Sequence, residues 1–207
     1  MKRTYPINLI LGASVVILYV TFAGASFSRF PSSYSPFDNW LSDLGNPDLN
    51  ITGAIFYNTG IILAGISLLF FFLYLTKLRL ANNRLQRIMT VLTVGFGSIG
   101  SLAMIMTAVY PIDQPAQHSF WSMILYFSLG TAFAFSVAAL RYHTTFPRWL
   151  LLFGGIAAFI NMVAQIFFTD ICISEWIVVP LLLSYCLFLG IGVESLQTKN
   201  TKGDKFL

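Results

Sequence analysis

Residues 52–75 of the chain read TGAIFYNTGIILAGISLLFFFLYL and contain no Asp, Glu, Lys or Arg. About 20 predominantly apolar helical residues are needed to cross the hydrocarbon core of a bilayer, so this run is long enough to span a membrane. Its apolar and polar residues do not alternate, which excludes a strand of a membrane barrel. The run therefore predicts a membrane-spanning α-helix.

Five other runs share this apolar character, and the predicted spans are residues 7–27, 52–75, 88–110, 120–142, 149–168 and 176–195. We therefore predict an all-α polytopic membrane protein with a single six-helix bundle over residues 1–195. The remaining residues, 196–207, are polar and are predicted to form a disordered cytoplasmic tail. The first run resembles a secretory signal peptide, but its apolar part is longer than usual, so we expect an uncleaved first helix.

The composition of the whole chain agrees with a membrane protein. Of its 207 residues, 57% are hydrophobic and only 10% are charged, and the mean hydropathy is +0.75. Soluble domains carry about 25% charged residues, so a soluble enzyme, a nucleic-acid-binding protein and a disulfide-rich secreted module are excluded. Membrane lipid is the expected partner, and the sequence leaves open whether the chain forms a homo-oligomer.

The positions of the charged residues predict an orientation. All Lys and Arg residues except Arg29 lie near the N-terminus, in the second and fourth connections, or in the C-terminal tail. Positively charged segments stay in the cytoplasm, so both termini are predicted to be cytoplasmic, with the protein in a cell membrane. Most acidic residues lie on the opposite side: Asp38, Asp43, Asp48, Asp113, Asp170 and Glu175.

Strong hydrogen-bonding side chains also favour the predicted outer side. Asn58 lies near the outer start of the second span, and Asn161 and Gln165 are four residues apart on one helix face. An amide that faces lipid has no hydrogen-bond partner, so we expect these groups to line an outward-facing polar pocket below the 28–51 connection. For Asn161 and Gln165 the alternative is that they only join neighbouring helices.

The second outer connection contains Asp113 and His118. A carboxylate can orient an imidazole, so the two could form an acid/base pair or provide two ligands of a zinc site. A hydrogen bond that only orders the connection is the third alternative. Zinc needs a further ligand, such as Asp43, for which a turn or helix cap is the alternative role. Asp170 and Glu175 are expected to be solvated, and no other cofactor is predicted.

Three short patterns are expected to be unrelated to function. GFGSIG at residues 95–100 matches a dinucleotide-binding fingerprint, but it lies inside a span and no strand precedes it. Close helix packing through small residues explains it better. The sequon at residues 50–52 is expected to arise by chance. Cys172 and Cys186 are at different predicted depths and are expected to be free thiols.

Three other motifs resemble a known family. They are LSDLG at residues 41–45, AIFYNTGII at residues 54–62, and PID at residues 111–113 followed by His118. They resemble the six-helix domain-of-unknown-function family numbered nine hundred and ninety-eight, and more distantly the FRAG/DRAM/SFK membrane proteins, some of which are linked to lipid remodelling. The resemblance implies a six-helix membrane domain without an assigned reaction. Its implied site comprises Ser42, Asp43, Asn58, Asp113 and His118.

The leading functional hypothesis is binding or processing of a lipid or amphiphile at the outer leaflet. Asp113 and His118 would be the reactive pair. The substrate-binding residues would be Ser42, Asp43, Asn58, Asn161 and Gln165. Two alternatives are a small-solute or ion transporter and a non-catalytic membrane scaffold. The spans have no charged residue at mid-membrane and no internal repeat, which disfavours the transporter.

Overall fold

A computed structural model describes residues 6–76 and 83–203, and these residues form helices and connections without a strand. The helices are α1 Ile7–Phe27, a short 3₁₀ helix Leu41–Gly45 (the loop helix), α2 Ala54–Leu75, α3 Arg84–Val109, α4 Pro115–Leu140, α5 Arg148–Phe167 and α6 Ile173–Gly203. All six α-helices are long and apolar enough to cross a membrane. The predicted all-α, six-span architecture is therefore confirmed.

Three helices begin several residues before the predicted spans: α3 at Arg84, α4 at Pro115 and α6 at Ile173. Pro115 occupies the first turn of α4, where its missing N–H is not needed. The first turn of α6 contains the acidic residue Glu175, which the helix dipole favours at this end. His118 and Glu175 therefore belong to helices, whereas the sequence predicted both in connections.

The six helices form a closed ring in sequence order. Each helix packs against the next, and α6 packs against α1. In the middle of the ring the rings of Phe133 and Tyr185 make an edge-on contact with centroids 4.6 Å apart, and Phe72 packs beside Phe133. These three side chains and Phe71 are almost fully buried. They fill the bundle interior near the centre of the predicted membrane.

The GFGSIG motif brings α3 close to its neighbours. A Cβ atom added at Gly97 would overlap the ring of Phe72 on α2, and one at Gly100 would approach the Leu129 side chain of α4 to 2.7 Å. Small residues at such positions allow helices to approach closely. The structure thus confirms the packing interpretation of this motif.

The polar stretch after residue 195 differs from the prediction. The backbone of α6 continues to Gly203, so the stretch predicted as disordered starts as an extension of the helix. It contains no Pro, and its first Gly is Gly203, so no stop signal occurs earlier. Residues 204–207 lie outside the described residues.

The two ends of the bundle differ in charge. The connections at residues 28–53, 110–114 and 168–172 lie at one end, which we call the acidic end because it carries most of the acidic residues. The opposite, basic end carries Arg84, Arg87, Arg141 and Arg148. The loop helix lies at the acidic end and closes the interior of the ring there.

Candidate functional site

The loop helix is buried in the acidic end of the bundle, and all five of its residues are at most 9% exposed. Its carbonyl groups are held by side chains of the flanking helices and connection. Ser26 Oγ and Asn50 Nδ2 donate hydrogen bonds to the Leu44 carbonyl at 2.9 and 3.0 Å, and Asn58 Nδ2 donates to the Gly45 carbonyl at 2.9 Å. Because Asn50 is fully buried, the sequon is not accessible to a glycosylating enzyme, which agrees with chance occurrence.

Asp43 caps the loop helix. Its Oδ2 accepts a hydrogen bond from the Trp40 N–H at 2.9 Å, which is the cap role weighed as an alternative from the sequence. Burial raises the pKa of the Asp43 carboxyl above its ordinary value, although hydrogen bonds from Trp40 and Asn39 and the charge of His118 act in the opposite direction. The Asp43 side chain stabilises the loop helix from outside the cavity described next.

A narrow cavity, in which the centre of a water-sized sphere can occupy about 70 Å³, lies below the loop helix between α1, α2, α3, α4 and α6. It follows α2 from Tyr57 to Leu68, a length of about 16 Å at the usual helical rise. Its end next to the loop helix, which we call the mouth, is polar and is lined by Ser42, Asn58, Thr107, His118, Ser122 and Glu175. Its floor is apolar and is lined by Val15, Leu68, Met104, Leu129, Phe133, Leu182 and Cys186.

Glu175 places a carboxylate at the mouth of the cavity. Its Oε2 accepts hydrogen bonds from the Ser42 N–H at 3.2 Å and the Ser42 Oγ at 3.3 Å, and its Oε1 accepts one from the Tyr126 hydroxyl at 3.3 Å. The prediction of a solvated loop charge was therefore wrong for Glu175. The early start of α6 turns its side chain towards the interior of the ring.

His118 lies in the first turn of α4 and is buried. Its Nδ1 is 2.9 Å from the Tyr110 carbonyl oxygen and 3.2 Å from the Thr107 carbonyl oxygen. Carbonyl oxygens only accept hydrogen bonds, so Nδ1 carries the hydrogen. In the neutral ring Nε2 then keeps its lone pair and can accept a hydrogen bond or a proton from a molecule in the cavity.

Asp113 does not form the predicted pair with His118. It is exposed in the connection before α4, and none of the hydrogen bonds of the described residues joins it to the imidazole. The two backbone carbonyls satisfy Nδ1 instead. The acid/base chemistry available at this position thus depends on His118 without an aspartate partner.

Three tyrosines line the cavity between its polar mouth and its apolar floor. The hydroxyl groups of Tyr19 and Tyr57 are 3.0 Å apart, and their rings meet edge to face with centroids at 6.1 Å. Tyr126 lies on α4, two turns after His118 on the same helix face, and its hydroxyl reaches Glu175. The three rings therefore surround the upper part of the cavity.

Comparison with known proteins identifies the family. A family model described as a protein of unknown function, DUF998, matches residues 11–192. The chain belongs to the DUF998 family. The matched region contains the loop helix and every residue that lines the cavity, so the cavity lies within the DUF998 domain. No curated protein and no solved structure matches the chain.

In this DUF998 protein, three of the predicted site residues meet at the cavity: Ser42, Asn58 and His118. Asn161 does not line it. The Nδ2 of Asn161 donates to the Tyr126 carbonyl at 2.7 Å and joins α5 to α4, which is the helix-joining alternative. Gln165 also lies on α5, away from the cavity lining. The substrate-binding role of these two residues remains a prediction, which the cavity geometry does not support.

The zinc alternative finds no ligand set in the part of the chain that the structure describes. There, no three His, Cys, Asp or Glu residues converge so that they could hold a metal ion. The two cysteines are free: Cys186 is buried at the cavity floor, and Cys172 lies in the connection before α6.

Glu175 and the three tyrosines line the cavity but were not predicted from the sequence as site residues. A signal for Glu175 is its place beside Trp176 at the start of an apolar run, which is typical of a first helical turn at the membrane interface. A signal for Tyr126 is its spacing of eight residues from His118, with Ser122 between them. Positions four apart share one helix face, so these three side chains had to face the same space.

Proposed function

We propose that this DUF998 protein binds a single-chain amphiphile, with its polar head at the mouth of the cavity and its chain directed towards the floor. The observation that carries the proposal is the polarity gradient along the cavity. Hydrogen-bonding groups are concentrated below the loop helix, whereas the opposite end, about 16 Å deeper along α2, is lined by apolar side chains.

The polar groups at the mouth supply the binding energy that distinguishes a ligand from bulk lipid. An alkyl chain gains little by leaving lipid tails for an apolar protein wall, since both environments are apolar. A head group, however, can bond to His118 Nε2, to Glu175 and to the Ser122 hydroxyl, which line the mouth. Buried polar groups are costly when they lack partners, so a polar head is the part of a ligand that this site selects.

The charge distribution supports a position near the outer leaflet of a cell membrane. Four arginines lie at the basic end, and the polar residues of the cavity lining lie towards the acidic end. Positively charged ends of membrane bundles face the cytoplasm. The cavity mouth would then face outward, within reach of amphiphiles in the outer leaflet.

Binding fits the geometry better than transport does. Beyond the cavity floor, the bundle interior is filled by Phe71, Phe72 and Tyr185, each with no exposed surface. Within the described residues the cavity lining ends above this layer. We also propose binding ahead of chemical processing of the ligand, because His118 lacks the carboxylate partner that the sequence suggested.

A photoreactive fatty alcohol with a diazirine at its chain end tests the proposal. The purified protein is placed in phosphatidylcholine nanodiscs, irradiated with the probe and digested, and the labelled peptides are identified by mass spectrometry. We expect labels on the floor segments of α2, α4 and α6. Labels confined to the lipid-facing surface of the bundle would refute the proposal.

A pair of variants on α1 provides the matched control. Val15 lines the cavity floor, whereas Val20 is 58% exposed on the outer surface of the bundle. Val15→Phe should fill the floor and abolish its labelling, and Val20→Phe should leave the labelling unchanged. Equal floor labelling in Val15→Phe and the unmodified protein would show that the chain does not enter the cavity.

A further inference from the structure

The lining of the cavity has an unbalanced charge. Glu175 is its only Asp, Glu, Lys or Arg residue, and His118 is its only histidine. The arginines of the described chain lie elsewhere: Arg29 is exposed and stacks on Phe56, and the other four are at the basic end. A ligand in the cavity therefore meets one carboxylate and one imidazole, and no Lys or Arg side chain.

The hydrogen bonds that Glu175 makes bring it no Lys or Arg partner, although the His118 imidazole lies near enough to interact with its charge. Its three donors, the N–H and hydroxyl of Ser42 and the hydroxyl of Tyr126, are all neutral. No Lys, Arg or His nitrogen of the described residues forms an ion pair with it. Carboxylates withdrawn from bulk water are normally paired with a cation, so the mouth is suited to a ligand that supplies one.

The aromatic rings next to Glu175 favour the same kind of ligand. Tyr19, Tyr57 and Tyr126 line the space immediately below the mouth. The face of a tyrosine ring attracts a cation within about 6 Å, and aromatic side chains around a carboxylate are a common way to bind ammonium groups. Three tyrosine rings and one carboxylate therefore line the cavity in which the head of a bound amphiphile would lie.

From this juxtaposition we infer that the cavity selects amphiphiles with a cationic ammonium head. The inference rests on the proposed function and specifies its ligand class. The ammonium group would lie between Glu175 and the tyrosine rings, with the alkyl chain below. An anionic head, such as a phosphate or carboxylate, would face the Glu175 charge without a Lys or Arg residue to bind it.

Three probes with the same diazirine chain test this inference: one with a trimethylammonium head, one with a hydroxyl head and one with a carboxylate head. Each is titrated in phosphatidylcholine nanodiscs, and floor labelling is normalised to labelling of the lipid-facing surface, which corrects for partition into the bilayer. We expect the ammonium probe to reach half-maximal labelling at about tenfold lower concentration than the hydroxyl probe. A tenfold difference in affinity corresponds to the free energy of one interaction with a charged group. The carboxylate probe should bind most weakly.

Glu175→Gln keeps the shape of the side chain and removes its charge. This variant should lose about tenfold in affinity for the ammonium probe and less for the hydroxyl probe, so the preference for the ammonium head should disappear. Tyr57→Phe and Tyr57→Leu provide a second, independent comparison. The Phe variant keeps the ring and the ammonium affinity, whereas the Leu variant should lose about two- to fivefold.

The outcomes separate this inference from the proposed function. If no probe labels the floor, the proposed function fails. If all three heads label the floor equally, or if Glu175→Gln leaves their order unchanged, amphiphile binding stands and ammonium selection is refuted. Should Glu175→Gln fail to fold, equal ammonium affinity in the two Tyr57 variants would overturn the inference.

Discussion

Replacing Asn50 by Ala should loosen the loop helix from the bundle. The fully buried Asn50 side chain donates to Ser26 Oγ at 2.9 Å and to the Leu44 carbonyl at 3.0 Å, and it accepts from the Gly53 N–H at 3.1 Å. A longer contact of 3.4 Å to the Ser26 carbonyl is not counted among these three bonds. In the variant, the Leu44 carbonyl would still accept a hydrogen bond from Ser26 Oγ, and the Gly53 N–H would still donate one to the backbone carbonyl at position 50. No group becomes unpaired, so three bonds at about 1 kcal/mol each give a loss of about 3 kcal/mol.

Asn83→Ala is the matched control, because Asn83 is an exposed cap of α3 with one side-chain hydrogen bond, from the Gln86 N–H. Loss of such a cap costs about 1 kcal/mol. For a chain of this length, 1 kcal/mol lowers the unfolding temperature by about 2–4 °C. Thermal unfolding in detergent micelles should therefore show a decrease of about 6–12 °C for Asn50→Ala and about 2–4 °C for Asn83→Ala. Equal decreases would refute the conclusion that Asn50 anchors the loop helix.

Two further predictions concern pH and helix packing. Because burial raises the pKa of Asp43, the folded protein holds this proton to a higher pH than the unfolded chain does. As the pH rises from about 4 through the raised pKa, the free energy of unfolding of the unmodified protein should therefore fall relative to that of Asp43→Asn. Free energies of unfolding that change in parallel across this pH range would contradict the burial argument. Gly97→Ala should lower the free energy of unfolding by about 1–3 kcal/mol, since its Cβ would overlap Phe72, whereas a Cβ at Gly95 meets no atom within 4 Å. Gly95→Ala should be neutral or slightly stabilising, and equal losses in both variants would exclude this packing difference.

Much of the fold could be predicted because membrane thickness fixes the length of each apolar run. The helix starts were less predictable. The first turns of α4 and α6 contain polar residues that an apolar-run criterion excludes, although Pro115 and Glu175 are favourable there for reasons of backbone and dipole. The position of a polar first turn depends on these local signals and not on hydropathy.

The candidate site was predictable in part for a similar reason. Topology alone placed Ser42, Asn58 and His118 at one end of the bundle, and the structure brings them to one cavity. The partner of His118 depended on which acceptors the turn after α3 presents, and backbone carbonyls have no sequence signature. The burial of Glu175 likewise depends on the direction in which the first turn of α6 faces, which a shift of one or two residues reverses.

The position of a bound chain end decides whether an amphiphile enters the bundle. Crystals grown with 12-bromododecanol would show bromine by anomalous diffraction, independently of any labelling chemistry. We expect an anomalous peak inside the bundle at the cavity floor, close to Val15, Phe133 and Cys186. Peaks found only on lipid-facing surfaces, such as the exposed side of Phe159 on α5, would contradict this expectation.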